Sequence, residues 1–201
     1  MLLTARRLSK VLQLTLAVIK PDAVAHPVML EALHQRILDN NFFIVKCKDL
    51  VWRRQDSERF YAEHSGVIWR GSWEKRLGTP ALEDGRFFYQ RLVEFMSSGP
   101  MRAYLLARED AIRHWRELMG PTKVFRARYT APESIRGQFG LTDTRNTTHG
   151  SDSIESARRE IDFFFPDFCM EEWMDKEEPL FRSRQIHYDD QKQIHTLSTQ
   201  S

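Results

Sequence analysis

The sequence predicts an α+β fold of the ferredoxin-like type, an α/β sandwich in which helices cover an antiparallel sheet. Two patterns alternate along the chain: apolar residues at every second position, typical of a strand, and apolar residues three or four apart, typical of an amphipathic helix. The segments follow one another in the order β-α-β-α-β-α-loop-β-α, with short connections. This order favours an antiparallel sheet with helices on one face.

Three segments are predicted to be strands from their alternating apolar residues or their content of aromatic and β-branched residues. Residues 12–18 and 101–107 alternate apolar side chains with smaller or polar ones, and residues 42–52 are rich in aromatic and β-branched side chains. A fourth strand is expected before the last helix.

The helix-like segments have apolar residues at helical spacing. They cover residues 29–38, 56–61, 88–96, 109–119 and 154–165. Asp56 is expected to cap the second of them, and Gly120-Pro121 to end the fourth. The stretch that follows, which contains Pro132, is predicted to be a polar loop.

Composition divides the chain into three regions. Residues 1–11 form a basic N-terminal extension, and residues 12–168 carry the alternating pattern of one domain. Residues 169–201 form a C-terminal extension that is predicted to be flexible, because it is polar and aperiodic beyond residue 177. Residues 67–85 contain Trp69, Trp73 and several cations, and they fit neither flanking helix.

The overall composition excludes several classes of protein. The 201 residues are 41% hydrophobic and 29% charged, as in a soluble globular domain, and the net charge is +2. So small a charge gives no reason to expect nucleic acid or a membrane surface as a partner. Cys47 and Cys169 are too few for a disulfide framework, which favours a reducing compartment. No apolar run is long enough for a membrane span, and the common glycine-rich nucleotide-binding motifs are absent.

The N-terminal extension suggests a location. Arg6, Arg7 and Lys10 lie among leucines, and the first acid is Asp22. A basic start without acids is typical of a mitochondrial presequence, and the alternative is a frayed basic tail on a cytoplasmic protein. Because the first core strand begins at residue 12, a presequence would be short or would remain uncleaved.

One histidine stands in a context suited to nucleophilic chemistry. Residues 145–153 place His149 beside Gly150, Ser151 and Asp152, and Glu160 follows. A histidine attacks when another group orients its ring. Gly150 is expected to let a ligand approach, and the next two residues to lie at a helix start whose unpaired N–H groups favour anions. The residues alone leave a nucleophile, a metal ligand and a structural or surface histidine open.

Single polar residues are predicted at the ends of strands and helices. They are Lys20, Arg116, Thr122, Arg136 and Asn146. Three cations and two neutral donors suit the phosphates and sugar of a nucleotide. Each of them alone is also explained as a solvated surface residue.

Taken together, these residues resemble the motifs of the nucleoside diphosphate kinase family. Residues 146–153 resemble the family signature N-x-x-H-G-S-D, and supporting matches run through 17–22, 98–100, 118–122 and 135–137. The resemblance covers about residues 12–168 and is strongest with a divergent, mitochondrion-associated branch. It implies a ping-pong reaction, in which the γ-phosphate of ATP or another nucleoside triphosphate passes to the histidine and then to a nucleoside diphosphate.

The resemblance also implies roles for the matched residues. His149 would be the phosphorylated nucleophile, with Glu160 and Ser151 orienting it and Tyr61 close by. The nucleotide would be held at its ribose by Lys20 and Asn146, at its β and γ phosphates by Arg116, Thr122 and Arg136, and at its base by stacking on Phe88. Mg²⁺ would bridge the phosphates and reach Asp152 through water at most.

Three departures from the family pattern bear on function. Residues 67–85 look like an insertion in the helical hairpin over the nucleotide, where they either obstruct the cleft or form a loop without a role. Residues 122–136 are about three residues longer than usual in a loop that the family uses for subunit contacts, so a homo-oligomer is expected but the usual hexamer is not. Asp143 replaces an apolar residue beside the base.

The sequence therefore leaves more than one function open. The first is a nucleoside diphosphate kinase. The second is a weakly active or inactive nucleotide-binding regulatory protein that acts through a protein partner, in growth, apoptosis or mitochondrial regulation. Transfer of phosphate from His149 to another protein is a third.

Overall fold

Within the residues that the computed structural model describes, 10–61 and 81–198 with the side chains of 81–87 excepted, four strands form one antiparallel sheet. The strands are β1 (Gln13–Ile19), β2 (Phe43–Val51), β3 (Pro100–Arg108) and β4 (Thr148–Gly150). Their order across the sheet is β2-β3-β1-β4. β1 pairs with β3 along its whole length and with the short β4 through residues 17–19. The predicted ferredoxin-like class is confirmed.

Helices fill the connections between the strands. They are α1 (Pro21–Val24), α2 (Pro27–Asp39), α3 (54–61), α4 (Ala81–Met96), α5 (Ala111–Met119), α6 (Val124–Thr130), α7 (Ile135–Phe139), α8 (Ile154–Phe164), α9 (Met170–Lys176) and α10 (Glu178–Arg182). Proline opens α1 and α2, where its fixed φ suits the first turn and its missing N–H costs nothing. α5 ends at Gly120, whose φ of 78° favours glycine.

Two predicted segments lie outside the described residues. Residues 1–9 hold most of the basic N-terminal extension, and residues 62–80 hold most of the 67–85 segment, with Trp69 and Trp73. The predictions about targeting and about the insertion therefore stay predictions. None of the described helices is both long and apolar enough to cross a membrane.

Helices cover both faces of the sheet, whereas the sequence predicted one covered face. Side chains alternate across a strand, so Leu16 and Val18 pack in one core with α3, α4 and α8, while Ala17 and Ile19 pack in a second core with α2 and α5. The alternation in β1 predicted one buried face, because Thr15 and Ala17, which alternate with the leucines, are small or polar. In the structure both are fully buried as well.

Two local predictions were wrong. The expected polar loop after Pro121 contains α6 and α7, because Val124, Ala127 and Ile135 supply buried apolar anchors. Asp56 does not precede α3 but lies inside its first turn, where its carboxylate accepts a hydrogen bond from the Arg53 backbone N–H at 3.0 Å. That is the back-reaching half of a capping box.

The C-terminal extension is folded onto the domain and is not a flexible tail. It forms α9, α10 and a hairpin of β5 (Ile186–Asp189) and β6 (Ile194–Leu197). Trp173 and Phe181 are buried in the core that contains Leu16. Glu178, also buried, accepts a hydrogen bond from the Leu12 backbone N–H at 2.9 Å. The flexible-tail prediction was wrong because a few well-spaced anchors hold this segment, and they make no periodic pattern.

The hairpin covers the outer edge of β2. His195 Nδ1 accepts a hydrogen bond from the Ile44 backbone N–H at 3.0 Å, and the Tyr188 hydroxyl lies 2.6 Å from Nε2 of the buried His34. An uncovered edge strand offers its backbone groups to other chains. The C-terminal extension therefore protects this edge of the sheet.

Replacing Trp173 tests whether the extension stabilises the whole domain. We expect Trp173→Ala to lower the free energy of unfolding by about 3–5 kcal/mol, because truncating a buried aromatic residue leaves a cavity. Denaturant unfolding measures the loss. Glu171→Ala is the matched control on α9, since it removes an exposed ion pair with Arg158 and a weak contact with Cys169 Sγ and should cost less than about 1 kcal/mol. Equal, small losses in both variants would mean that α9 adds nothing to the core.

Candidate active site

The candidate site forms where β4 lies beside β1. His149 is the middle residue of β4 and pairs with Val18. Because the two strands are antiparallel, the residue that follows β1, Lys20, meets the residues that precede β4. The Lys20 backbone N–H donates to the Thr147 carbonyl at 2.9 Å, which closes the end of the pairing.

A buried carboxylate orients His149. The Nε2 atom of His149 lies 3.1 Å from Oε2 of Glu160, which α8 holds in the core with 2% of its surface exposed. The Ser151 hydroxyl donates to the same Oε2 at 2.6 Å and fixes the carboxylate. A carboxylate at Nε2 favours the tautomer with the proton on that nitrogen. The lone pair then lies on Nδ1, where it can act as a nucleophile.

Sequence reasoning missed the residues that support the histidine. The ring of Phe60 packs edge-on against the imidazole, with centroids 5.5 Å apart, and Trp115 Nε1 donates to the His149 carbonyl at 3.3 Å. Gly150 was expected to leave room for a ligand, but a Cβ there would collide with the indole of Trp115. The glycine therefore allows Trp115 to pack against β4. Helical spacing identified Trp115 only as a core residue, and nothing in the sequence separated Phe60 from Tyr61.

Lys20 and Asn146 form a buried pair in this site. Lys20 Nζ donates to Asn146 Oδ1 at 2.7 Å, and Asn146 Nδ2 donates to the Thr122 carbonyl at 3.1 Å. Burial and then the charge of Arg136 lower the pKa of Lys20 to about 7, although the charge of Asp22 opposes both. A lysine in this state gains a proton when an anion binds beside it.

Arg136 is fixed by acceptors on three sides. Its Nη1 donates to the Gly120 carbonyl at 2.9 Å and lies 3.5 Å from the Thr122 hydroxyl, and its Nη2 donates to the Thr148 carbonyl at 2.9 Å. Burial lowers its pKa to about 10, and the charge of the exposed Arg116 contributes. Its Nε is buried without a hydrogen-bond partner among the described residues, so a donor remains for a ligand.

Three basic side chains, Lys20, Arg136 and Arg116, form an electrostatic cluster beside β4. The charge of Arg136 acts on Lys20 and the charge of Arg116 acts on Arg136, and the carboxylate that offsets Lys20 is Asp22. Asp22 is already engaged, since it accepts a hydrogen bond from the Thr147 backbone N–H at 3.0 Å, and burial raises its pKa. Such a cluster suits a ligand with several negative charges, such as a chain of phosphates.

Three other residues named in the sequence analysis have contacts of their own. Tyr61 packs against Phe60, with ring centroids 5.0 Å apart, and burial and then the charge of Glu160 raise its pKa. Phe88 is half-buried against the core that contains both of these rings. Asp143 is used locally: its Oδ1 accepts a hydrogen bond from the Val124 backbone N–H at 3.0 Å and so fixes the start of α6.

Two backbone N–H groups near the predicted helix start already have partners in the described structure. α8 begins after Ser153, and Ser153 and Ser156 cap each other. The backbone N–H groups of Asp152 and Ser153 both donate to the Ser156 hydroxyl, at 3.0 and 2.9 Å. These two donors are therefore occupied, and the positive side chains nearby can attract an anion.

A cavity of about 760 Å³ adjoins the cluster. Its walls include Arg116, Gly120 and Asp152. The described part of the chain contains no group of three or more His, Cys, Asp or Glu that could hold a metal ion. Asp152 is a single exposed carboxylate, and such a group suits Mg²⁺ that is carried mainly by phosphate oxygens and water.

Comparison with known proteins agrees with this geometry. The family model described as "Nucleoside diphosphate kinase" matches residues 13–73 and 80–170, and the break in the match falls within the 67–85 segment. The nucleoside diphosphate kinase 6 of Danio rerio is 65% identical over 191 residues, which cover 95% of this chain and 98% of that protein. The nucleoside diphosphate kinase 6 of Homo sapiens is 58% identical over 192 residues, covering 96% and 93%.

Solved structures agree as well. The nucleoside diphosphate kinase of Aquifex aeolicus superposes with a TM-score of 0.62 and 38% identity, covering 77% of this chain and 95% of that one. The enzyme of Encephalitozoon cuniculi gives a TM-score of 0.62 and 26% identity, covering 81% and 99%. With the family model matched across most of its length, the chain belongs to the nucleoside diphosphate kinase family.

Proposed function

We propose that this protein is a nucleoside diphosphate kinase that works by a ping-pong mechanism through phosphorylated His149. The observation that carries the proposal is the arrangement of the histidine. Its Nε2 faces a buried carboxylate that Ser151 fixes, and three cations lie nearby. Family membership supports this class of reaction.

In the first half-reaction, the lone pair of Nδ1 attacks the γ-phosphorus of a nucleoside triphosphate. A nitrogen–phosphorus bond forms, the bond to the β–γ bridging oxygen breaks, and the nucleoside diphosphate leaves with that electron pair. The proton on Nε2 stays against Glu160, whose negative charge stabilises the positive charge that develops on the ring. In the second half-reaction, an oxygen of another diphosphate attacks the phosphorus and the steps reverse.

The remaining residues position the phosphates. Arg116 and Arg136 would neutralise the phosphate oxygens as charge shifts between them, which is most of what an enzyme contributes to phosphoryl transfer. Thr122 would add a neutral donor, and Lys20 with Asn146 would hold the ribose end. Asp152 would help to hold Mg²⁺, which the family implies, through water, and the ion would neutralise phosphate charge. Phe88 would stack on the base, and stacking accepts any base.

The test is the uptake of label from γ-labelled ATP. The wild-type protein should acquire acid-labile, base-stable phosphate, and His149→Ala should acquire none. Ser153→Ala keeps the neighbouring chain but removes a hydroxyl that only caps α8, so it should be labelled like the wild type. If wild type and His149→Ala take up equal label, His149 is not the nucleophile.

Nucleotide affinity should fall as the pH rises above neutrality. In the free protein the pKa of Lys20 is about 7, and bound phosphates should raise it, so binding takes up a proton. Between these two pKa values the dissociation constant of ADP should rise by up to about tenfold per pH unit. Calorimetry at about pH 8 in two buffers of different ionisation enthalpy measures the proton uptake. Lys20→Met should bind more weakly and take up no proton; uptake by this variant would assign the proton to another group.

A second candidate is a nucleotide-binding regulatory protein that acts through a protein partner and turns over slowly alone. One observation favours it: Phe125 and Tyr129, one turn apart on α6, are 78% and 82% exposed, with ring centroids 5.9 Å apart. Exposed aromatic residues are enriched at protein interfaces. Partner capture that survives His149→Ala but not Phe125→Ala, together with negligible turnover, would favour this function over the first.

A further inference from the structure

A strained turn precedes His149. The Thr148 backbone N–H donates to the Asn146 carbonyl at 2.8 Å, and the residue between them, Thr147, has a φ of 73°. A three-residue turn with a positive φ at its centre is the rarer and more strained form of the γ-turn. A β-branched residue makes the strain larger, because its side chain crowds the backbone in this region.

The turn keeps this shape because both backbone groups of Thr147 are bound. Its N–H donates to Asp22 Oδ2 at 3.0 Å, and its carbonyl accepts from the Lys20 N–H at 2.9 Å. Both partners come from the junction of β1 and α1, which Pro21 makes rigid. Backbone strain of this kind persists only where the surrounding structure holds it in place.

The turn decides where the functional groups on either side of it lie. Asn146, before it, reaches Lys20 Nζ, and the Thr148 carbonyl, after it, accepts from Arg136. His149 follows directly, in a strand of only three residues. If the turn relaxed, the start of β4 would move and the imidazole would shift relative to Glu160.

We propose that Asp22 is a positioning residue for His149: its carboxylate holds Thr147 in the strained turn and so keeps the imidazole against Glu160. Asp22 touches neither the reacting atoms nor the nucleophile, and it acts through the backbone of Thr147. The kinetic part of the proposal rests on the proposed function. The structural part, the position of the imidazole, does not.

Asp22 has a second effect that the experiment must separate from the first. Its charge also favours the protonated form of Lys20, so removing it would alter the phosphate site by electrostatics alone. Asp22→Asn separates the two effects, because an amide oxygen can still accept from the Thr147 N–H but carries no charge. Thr147→Gly tests the strain itself, since glycine adopts a positive φ at little cost. It also removes a buried hydroxyl that has no hydrogen-bond partner among the described residues.

The rate of His149 phosphorylation at saturating ATP is measured in single turnovers, next to thermal unfolding of each variant. Asp22→Ala should lower this rate by about tenfold or more, while the apparent ATP affinity changes by less than about threefold. Asp22→Asn should stay within about threefold of the wild type, and adding Thr147→Gly to Asp22→Ala should restore the rate to about that level. Equal losses in the Asn and Ala variants, or no rescue by glycine, would overturn the proposal.

A second measurement tests whether Asp22 positions the His149 imidazole, and it does not require turnover. ¹⁵N spectra of histidine report which ring nitrogen carries the proton. The wild type should show the Nε2-protonated tautomer of His149, Asp22→Ala a mixture, and the double variant with Thr147→Gly the wild-type form again. If the wild type takes up no phosphate, the proposed kinase function fails but this comparison still applies. An unchanged tautomer in Asp22→Ala would refute the positioning role.

Discussion

Glu160→Gln should slow the phosphorylation of His149 by up to roughly 10,000-fold, the loss seen when the carboxylate that orients a catalytic histidine is replaced by an amide. Glu160 Oε2 lies 3.1 Å from His149 Nε2, and both are largely shielded from water. In the proposed mechanism, the carboxylate selects the tautomer that leaves the lone pair on Nδ1, and its charge offsets the charge that the ring gains during attack. An amide can turn its NH₂ toward Nε2, which stabilises the unreactive tautomer, and it carries no charge.

Ser151→Ala is the matched control for this prediction. It leaves the carboxylate in place but removes the 2.6 Å hydrogen bond that fixes it, so the rate should fall by only about tenfold. Single-turnover labelling at saturating ATP measures both rates. ATP affinity should change little in either variant, because neither side chain is expected to bind the nucleotide. A Glu160→Gln protein that reacts as fast as the wild type would remove Glu160 from the mechanism.

Arg136→Lys should lower both stability and activity. Arg136 donates to the carbonyls of Gly120 and Thr148, and these bonds tie the end of α5 to β4. A lysine cannot reach both acceptors, so a buried carbonyl is left unpaired at a cost of about 2–3 kcal/mol in the free energy of unfolding. The Nε donor proposed for a phosphate would also be lost, and kcat/KM should fall by roughly 100-fold.

Arg116→Lys separates these two effects. Arg116 is exposed, and the same substitution should leave the free energy of unfolding within about 0.5 kcal/mol of the wild type. The substitution should still lower kcat/KM by about tenfold, because Arg116 lies within electrostatic reach of Arg136 at the proposed phosphate site. Denaturant unfolding and steady-state kinetics of the two variants are compared side by side. If Arg116→Lys is as unstable as Arg136→Lys, the stability loss does not come specifically from the buried hydrogen bonds of Arg136 to Gly120 and Thr148.

The sequence predicted those parts of the fold that short stretches encode. The alternation in residues 12–18 and the helical spacing after Pro27 are local signals, and they gave the class and the order of elements. The second core was missed because Thr15 and Ala17 are small and gave no sign of burial. The C-terminal fold was missed because its anchors, Trp173 and Phe181, are too widely spaced to form a pattern.

In the candidate site, too, local motifs could be predicted from the sequence, whereas contacts between distant segments could not. Residues 146–153 carry a signature that can be found by inspection, and the resemblance it supports named the partners of His149. The contact between His149 and Glu160 could not be derived from spacing, because it exists only once α8 folds back beside β4. The role of Gly150 was misjudged for a similar reason: its neighbour in space, Trp115, lies 35 residues earlier in the chain.

Isolation of the phosphorylated protein tests the central claim most directly. The chain is incubated with γ-labelled ATP, freed of nucleotide by gel filtration, and then mixed with GDP. If His149 carries the phosphoryl group between the two half-reactions, the label leaves the protein and appears in GTP, and His149→Ala yields none. A wild-type protein that takes up label but does not pass it to GDP, or that forms GTP only while ATP is present, would contradict the account.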